Sequence, residues 1–141
     1  MVKMLVDTCV LSELYKPQPH AFVVAAFAAL DDNDIYLSVV TIGELRKEIA
    51  LLPRGKRQTD LLLWFDELCL QFKPHILAID HAIACLWGEI TATASANGVP
   101  LPMADGLIAA TASHHGLQIM TRNVKDFSAT SVTIYNPWDE S

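Results

Sequence analysis

Met4-Leu5-Val6 is an apolar run without polar alternation, the pattern of a strand covered on both faces, and it stops abruptly at Asp7. A short helical stretch, Val10 to Tyr15, follows and is ended by Pro17 and Pro19. His20 to Leu30 predicts a helix that is apolar on every face, and such a helix is buried or lies in an interface. Asp31-Asp32-Asn33-Asp34 reads as a solvated turn, because it lacks the spaced ligands and closing Glu of an EF-hand. Ile35 to Val40 predicts a second strand. Thr41-Ile-Gly-Glu44 then fits a capping box and opens a helix through Leu52. After the basic turn Pro53 to Arg57, a long helix runs from Gln58 or Thr59 to about Phe72. Ile76 to Ile79 is a third strand, and Asp80 can cap a helix from His81 to Ala96 that Asn97-Gly98 ends. Asp105 to His114 is a further helix, closed by Gly116. Leu117 to Thr121 and Val132 to Tyr135 are the last two strands. Strands alternating with helices predict an α/β fold: a central parallel sheet of about five strands, flanked by helices on both sides, with right-handed crossovers.

The length, 141 residues, suits one domain spanning 1–141. Hydrophobic residues make up 52% and charged residues 18%, which is apolar for so small a chain and predicts that a partner or second copy covers part of its surface. A net charge of -6 argues against a stand-alone nucleic-acid binder with a basic face. It suits an enzyme that gathers carboxylates around metal ions, or one paired with a basic protein. Cys9, Cys69 and Cys85 show no Cys-x-x-Cys spacing and lie in apolar stretches, so they read as small core residues in a reducing compartment. No stretch has the roughly 20 apolar residues a membrane span needs, and Asp7 interrupts any signal-peptide core. The expectation is a soluble, cytoplasmic protein.

Three acids fall at equivalent junctions. Asp7 follows the first strand, Glu44 lies at the start of the helix after the second, and Asp105 opens a later helix. Asn123 follows the fourth strand, with Asp126 one turn on. Each has a local explanation: Asp7 as a helix cap, Glu44 in its capping box, Asp105 at a positive helix end, Asp126 in a turn. Together they favour a site, because adjacent parallel strands bring such junctions to one edge of the sheet, where open α/β proteins bind ligands. Oxygen-only donors suit Mg²⁺ or Mn²⁺ and disfavour zinc. Such ions activate water and stabilise attacking and leaving oxygens at phosphorus. Arg46 and Arg122 either neutralise substrate phosphates or pair with surface acids.

Leu-Val-Asp7-Thr8 with Ser12, Thr41-x-x-Glu44-Leu-Arg46, Pro102-x-x-Asp105-x-x-Ile-Ala-Ala and Thr121-Arg-Asn123-x-x-Asp126-Phe127 together resemble a PIN domain. More narrowly, the chain is similar to VapC-type toxins of toxin–antitoxin pairs, and Tyr-Asn136-Pro-Trp138 resembles the FitB-like branch. The resemblance covers the whole chain. It implies a Mg²⁺-dependent endoribonuclease cutting single-stranded RNA, a homodimer, and neutralisation by a small cognate antitoxin. It assigns Asp7, Glu44 and Asp105 to the acidic, metal-binding core, with Thr8 as the neighbouring hydroxyl. Asn123 stands where many members carry a fourth acid, which leaves that ligand open, with Asp126 as a substitute or a turn anchor.

Other readings are weaker. A haloacid-dehalogenase phosphatase needs a second Asp two residues after the first, and that position is Cys9; a receiver domain needs paired acids after strand one. A PIN-like module that binds RNA or a partner without cutting is favoured only by Asn123. His114-His115 point apart on a helix and suit its negative end. Trp64, Phe65 and Trp87 have core spacing, and Pro53 to Arg57 reads as a solvated turn. The helix over His20 to Leu30, with the one before it, is expected to line a groove that an antitoxin segment fills.

Overall fold

The computed structural model describes residues 2–139. Five strands, β1 (Met4–Val6), β2 (Ile35–Ser38), β3 (Ile76–Leu77), β4 (Gln118–Met120) and β5 (Ile134–Tyr135), form one parallel sheet in the order β3-β2-β1-β4-β5. The helices are α1 (Thr8–Leu14), α2 (Ala21–Ala28), α3 (Val39–Ala50), α4 (Lys56–Gln71), α5 (His81–Ala96), α6 (Met103–His115) and the single turn α7 (Val124–Phe127). Register pairs Met4 with Ile35 on one side and with Gln118 on the other, and Met120 with Tyr135. The chain leaves β1 outward through β2 and β3, then returns to β4 on the opposite side. That reversal opens a crevice between the carboxyl ends of β1 and β4.

Alternation along β1 divides the core. Met4 and Val6 face one layer with Val10, Leu11, Val23, Leu45, Ile49 and Phe65, which come from α1 to α4. Leu5 faces the other layer with Ile108, Ala109, Ala112 and Phe127, from α6 and α7. Leu5, Val6, Leu11, Ile108 and Phe127 are essentially sealed from water, and burial of each such side chain is worth about 1.5–3 kcal/mol. A central strand covered on both faces explains why its sequence has no polar position before Asp7. The α5–α6 pair comes close because Gly106 has no side chain: a Cβ there would meet Trp87 Cδ1 at 2.8 Å. Gly116, in the left-handed region at φ 67°, closes α6.

Several elements differ from the expectation. The second strand stops at Ser38, and Ser38, not Thr41, caps the following helix: its Oγ accepts from the Val40 N–H at 3.0 Å. Val39 and Val40 are therefore helical despite their β-branched side chains, and no capping box joins Thr41 to Glu44. The long fourth helix starts at Lys56, inside the basic turn, with Gly55 as its cap residue. Only Val23 of α2 is fully buried; Ala26, Phe27 and Leu30 rest against the core, and Phe22 and Val24 remain about 40% exposed. The mostly apolar groove, of about 170 Å³, lies between α1, α3 and α4 and is lined by Tyr15, Leu45, Ile49, Leu52, Leu61 and Trp64, so α2 does not form its wall. Cys85 is exposed rather than core, while Cys9 and Cys69 are half-buried and free. Among the described residues no helix is long and apolar enough to cross a membrane.

Candidate active site

Asp7 is the first residue past β1 and caps α1: its Oδ1 accepts from the Thr8 N–H at 2.8 Å. Its second oxygen, Oδ2, accepts from Thr121 Oγ1 at 2.8 Å. Thr121 is the first residue past β4, so the bond spans the crevice between the two central strands. The same hydroxyl accepts from the Asn123 N–H at 3.0 Å. Asp7 is thus both a helix cap and a carboxylate held from two sides at the sheet edge. Thr8 Oγ1 donates to Glu44 Oε1 at 2.6 Å and lies 3.2 Å from Thr41 Oγ1, which ties α1 to α3.

These groups open onto one cavity of about 340 Å³. Asp7, Glu44 and Asp105 line it together with Thr8, Arg122 and Asn123. Glu13, Lys16 and Glu48 line it as well, and sequence reasoning missed all three. Glu48 had a legible signal, since it lies one helical turn from Glu44 and so shares its face; its Oε2 accepts from Ser12 Oγ at 2.8 Å. Glu13 is buried by tertiary packing and accepts from Lys16 Nζ at 2.9 Å and the His20 N–H at 3.0 Å. Trp138 and Cys9 complete the wall.

Two expected residues stand elsewhere. Arg46 lies two positions after Glu44, which on a helix turns it to the far side; its guanidinium sits 5.4 Å over the Phe65 ring and does not line the cavity. Asp126 is exposed in α7, also off the cavity wall, and its N–H donates to the Asn123 carbonyl at 3.1 Å. It anchors the turn and acts on the site only through its charge.

The electrostatics are those of crowded acids. Burial raises the Asp7 pKa above its ordinary value against the bonds from Thr121 and Thr8, and the Glu44 charge adds to the rise. Asp105 is pushed up to about 6, first by burial, then by the charges of Asp7, Asp126 and Glu44. Burial and the Asp7 charge also push the Cys9 thiol up, which keeps it neutral at neutral pH. Among the described residues the ion pairs are Lys16–Glu13 and Lys56–Asp60, and neither neutralises Asp7, Glu44 or Asp105. Neither do three His, Cys, Asp or Glu side chains among the described residues already stand close enough to form a finished metal cage. The donor set still fits a hard divalent cation: oxygen-only, anionic, partly buried and not ion-paired to a protein cation among the described residues.

The PIN domain family model matches residues 4–132. The chain is 39% identical to Toxin FitB of Neisseria gonorrhoeae over 96% of its own length and 99% of that protein. It is 35% identical to the VapC ribonuclease Y4jK of Sinorhizobium fredii, over 96% and 97% of the two chains. The crystal structure of FitAcB from Neisseria gonorrhoeae superposes with a TM-score of 0.92 at 39% identity, covering 96% of this chain and 98% of that one. A fold of this order, acids at the crevice between its central strands and similarity along nearly the whole chain lead to one assignment: this chain belongs to the PIN-domain family, in the branch of FitB- and VapC-like toxins.

Proposed function

We propose that the protein is a divalent-metal-dependent endoribonuclease that hydrolyses RNA phosphodiester bonds and acts as the toxin of a toxin–antitoxin pair. The observation that carries this reading is the cavity at the β1–β4 crevice, where Asp7, Glu44 and Asp105 face one space and, among the described residues, none of the three is ion-paired to a protein cation. Asp7, Glu44 and Asp105 would hold the ion, with Mg²⁺ or Mn²⁺ favoured by the oxygen donors. When bound, such an ion lowers the pKa of a water and stabilises charge on phosphate oxygens.

The chain's own residues do the rest. Thr8 and Thr121 fix the orientation of Glu44 and Asp7 through hydroxyl donors at 2.6 and 2.8 Å. Asn123, held by Thr121 at the mouth, orients a water or a substrate oxygen with its side-chain amide. Arg122 supplies the positive charge that a phosphate needs beside so many carboxylates. FitAcB and FitAB bound to a DNA fragment are among the assemblies solved for similar proteins. The same reading has this chain pair with a small antitoxin and act as a homodimer in the cytoplasm. The exposed apolar residues of α2 and the groove between α1, α3 and α4 are the surfaces suited to such coverage.

The test is cleavage of a single-stranded RNA by the purified protein with Mg²⁺ or Mn²⁺. Cleavage is expected to vanish in excess chelator and in Asp7→Asn, with Asn123→Ala losing less than Asp7→Ala. Undiminished cleavage in chelator would rule the mechanism out. Clean binding of RNA without cleavage would favour the second reading, a PIN-like binding module, to which the amide at Asn123 in place of an acid lends some weight.

A further inference from the structure

The Asn136-Pro137-Trp138 turn has no part in the chemistry above, yet it is built firmly onto the cavity. Strand β5 pairs with β4, and the Thr121 N–H donates to the Tyr135 carbonyl at 3.0 Å, so the segments leaving the two strands run side by side. Asn136 Oδ1 then accepts from the Trp138 N–H at 2.9 Å, an Asx turn, and Pro137 is buried. This places the Trp138 ring partly in the core and partly on the cavity wall. The Arg122 guanidinium lies over that ring, 5.3 Å from its centroid.

The charge balance makes this arrangement informative. The cavity wall carries Asp7, Glu13, Glu44, Glu48 and Asp105, and two cations, Lys16 and Arg122. Lys16 is taken by Glu13 at 2.9 Å. Arg122 makes no ion pair among the described residues, although carboxylates surround it. Its backbone N–H reaches Cys9 Sγ at 3.5 Å, which fixes the main chain and leaves the guanidinium donors free. A flat, always-charged fork of donors, held on an aromatic face at the mouth of an acidic cavity, matches a bidentate anion.

We propose that Arg122 grips an RNA phosphate flanking the scissile bond, and that Trp138 is the positioning residue that holds Arg122 there. The proposal rests on the nuclease reading and adds the residues that seat the substrate beside the acids. Phosphate is favoured over a partner's carboxylate because Arg122 and the three central acids share one cavity, where a phosphodiester must enter.

The experiment is a double-mutant cycle in the full chain, using Arg122→Gln, Trp138→Leu and their combination, with Trp138→Phe as the conservative variant. The kinetic readout is KM and kcat on a defined single-stranded RNA oligonucleotide with Mg²⁺. Arg122→Gln is expected to raise KM by about 10-fold or more, the usual size for a charged hydrogen-bonding group. Trp138→Leu is expected to raise KM by about 2–5-fold with kcat nearly unchanged, as the loss of a cation–aromatic contact at an exposed site implies. Trp138→Phe should retain most of the wild-type KM. In the Arg122→Gln background, Trp138→Leu should add nothing.

A second readout is the salt dependence of oligonucleotide binding in the Asp7→Asn background, where RNA stays intact. Its log–log slope should shrink by about 0.7 on Arg122→Gln, one phosphate contact on a single strand. Additive KM effects overturn the positioning role, because they give Trp138 an effect independent of Arg122. An unchanged KM and slope in Arg122→Gln, an exposed position whose replacement leaves the core intact, overturn the phosphate grip and leave the nuclease reading standing. If that variant loses only its binding of a poly-glutamate peptide, Arg122 serves an acidic protein partner, which also overturns the proposal. A wild-type protein that neither binds nor cuts the oligonucleotide sinks both readings together.

Discussion

Thr121→Val probes the bond that spans the crevice. Valine keeps the shape of threonine and removes the hydroxyl, so the packing of a position with no solvent exposure is largely preserved. Three interactions go: the 2.8 Å bond to Asp7 Oδ2, the 3.0 Å bond from the Asn123 N–H and the weak 3.5 Å contact with Cys9 Sγ. Asn123 is exposed, so water replaces its lost partner. Asp7 is buried and keeps only the Thr8 N–H and the weak Cys9 thiol at 3.7 Å. A hydrogen bond to a charged group is worth about 1.5–3 kcal/mol, so a loss of about 2 kcal/mol is expected while Asp7 is ionised. At about 2–4 °C per kcal/mol for a chain of this size, Tm should fall by about 4–8 °C. The assay is thermal unfolding of the metal-free protein at pH 8 and pH 4. On acidification the folded Asp7 takes up its proton earlier than a free carboxylate does, because burial raises its pKa, and the neutral acid loses less when the donor is removed. The difference between variant and wild type should therefore shrink at pH 4. Equal melting at pH 8, or the same deficit at both pH values, refutes the view that Thr121 supports the charge on Asp7.

Other outcomes follow from the same structure. Asp105 ionises at about 6 when folded and near 3.8 when unfolded, so between those values the folded chain holds the extra proton, and the metal-free protein should lose stability as pH rises from about 4 to 6. Asp105→Asn should flatten that part of the stability–pH curve measured by denaturant unfolding. Gly106→Ala should cost about 1–3 kcal/mol in the same assay, because its Cβ would fall 2.8 Å from Trp87 Cδ1, and shrinking Trp87 to Leu should recover part of the loss. Ser38→Ala should cost about 1 kcal/mol as a lost helix cap, while a matching loss at Thr41 instead would restore the capping box that the structure lacks.

Much of the fold was legible where local and tertiary demands agree. Met4-Leu5-Val6 reads as a doubly covered strand and is one; Asp80 and Asn97 bound α5 as their capping chemistry implies. The start of α3 was not, because Val39 and Val40 carry β-branched side chains and only the Ser38 cap and the packing of Leu45 and Ile49 make them helical. Strands β3 and β5 shrink to two residues because pairing with β2 and β4 ends there, which no side chain announces.

The site shows the same division. Asp7, Glu44, Asp105 and Asn123 reach the cavity because strand-to-helix junctions share one sheet edge. Glu13, Lys16 and Trp138 reach it through the mutual orientation of packed elements, which depends on long-range contacts. Arg46 stands off the cavity by plain helix geometry, since two residues on from Glu44 is the opposite face.

The central claim is that Asp7, Glu44 and Asp105 act as one cation site. Calorimetric titration of Mn²⁺ into the wild-type protein, Asp7→Asn, Glu44→Gln and Asp105→Asn tests it without any need for turnover. Binding is expected in the wild type and should weaken by at least about 10-fold in each of the three variants, with all of them still folded. Wild-type affinity in any one of the three removes that residue from the site, and wild-type affinity in all three contradicts the assignment of the cavity as a metal centre.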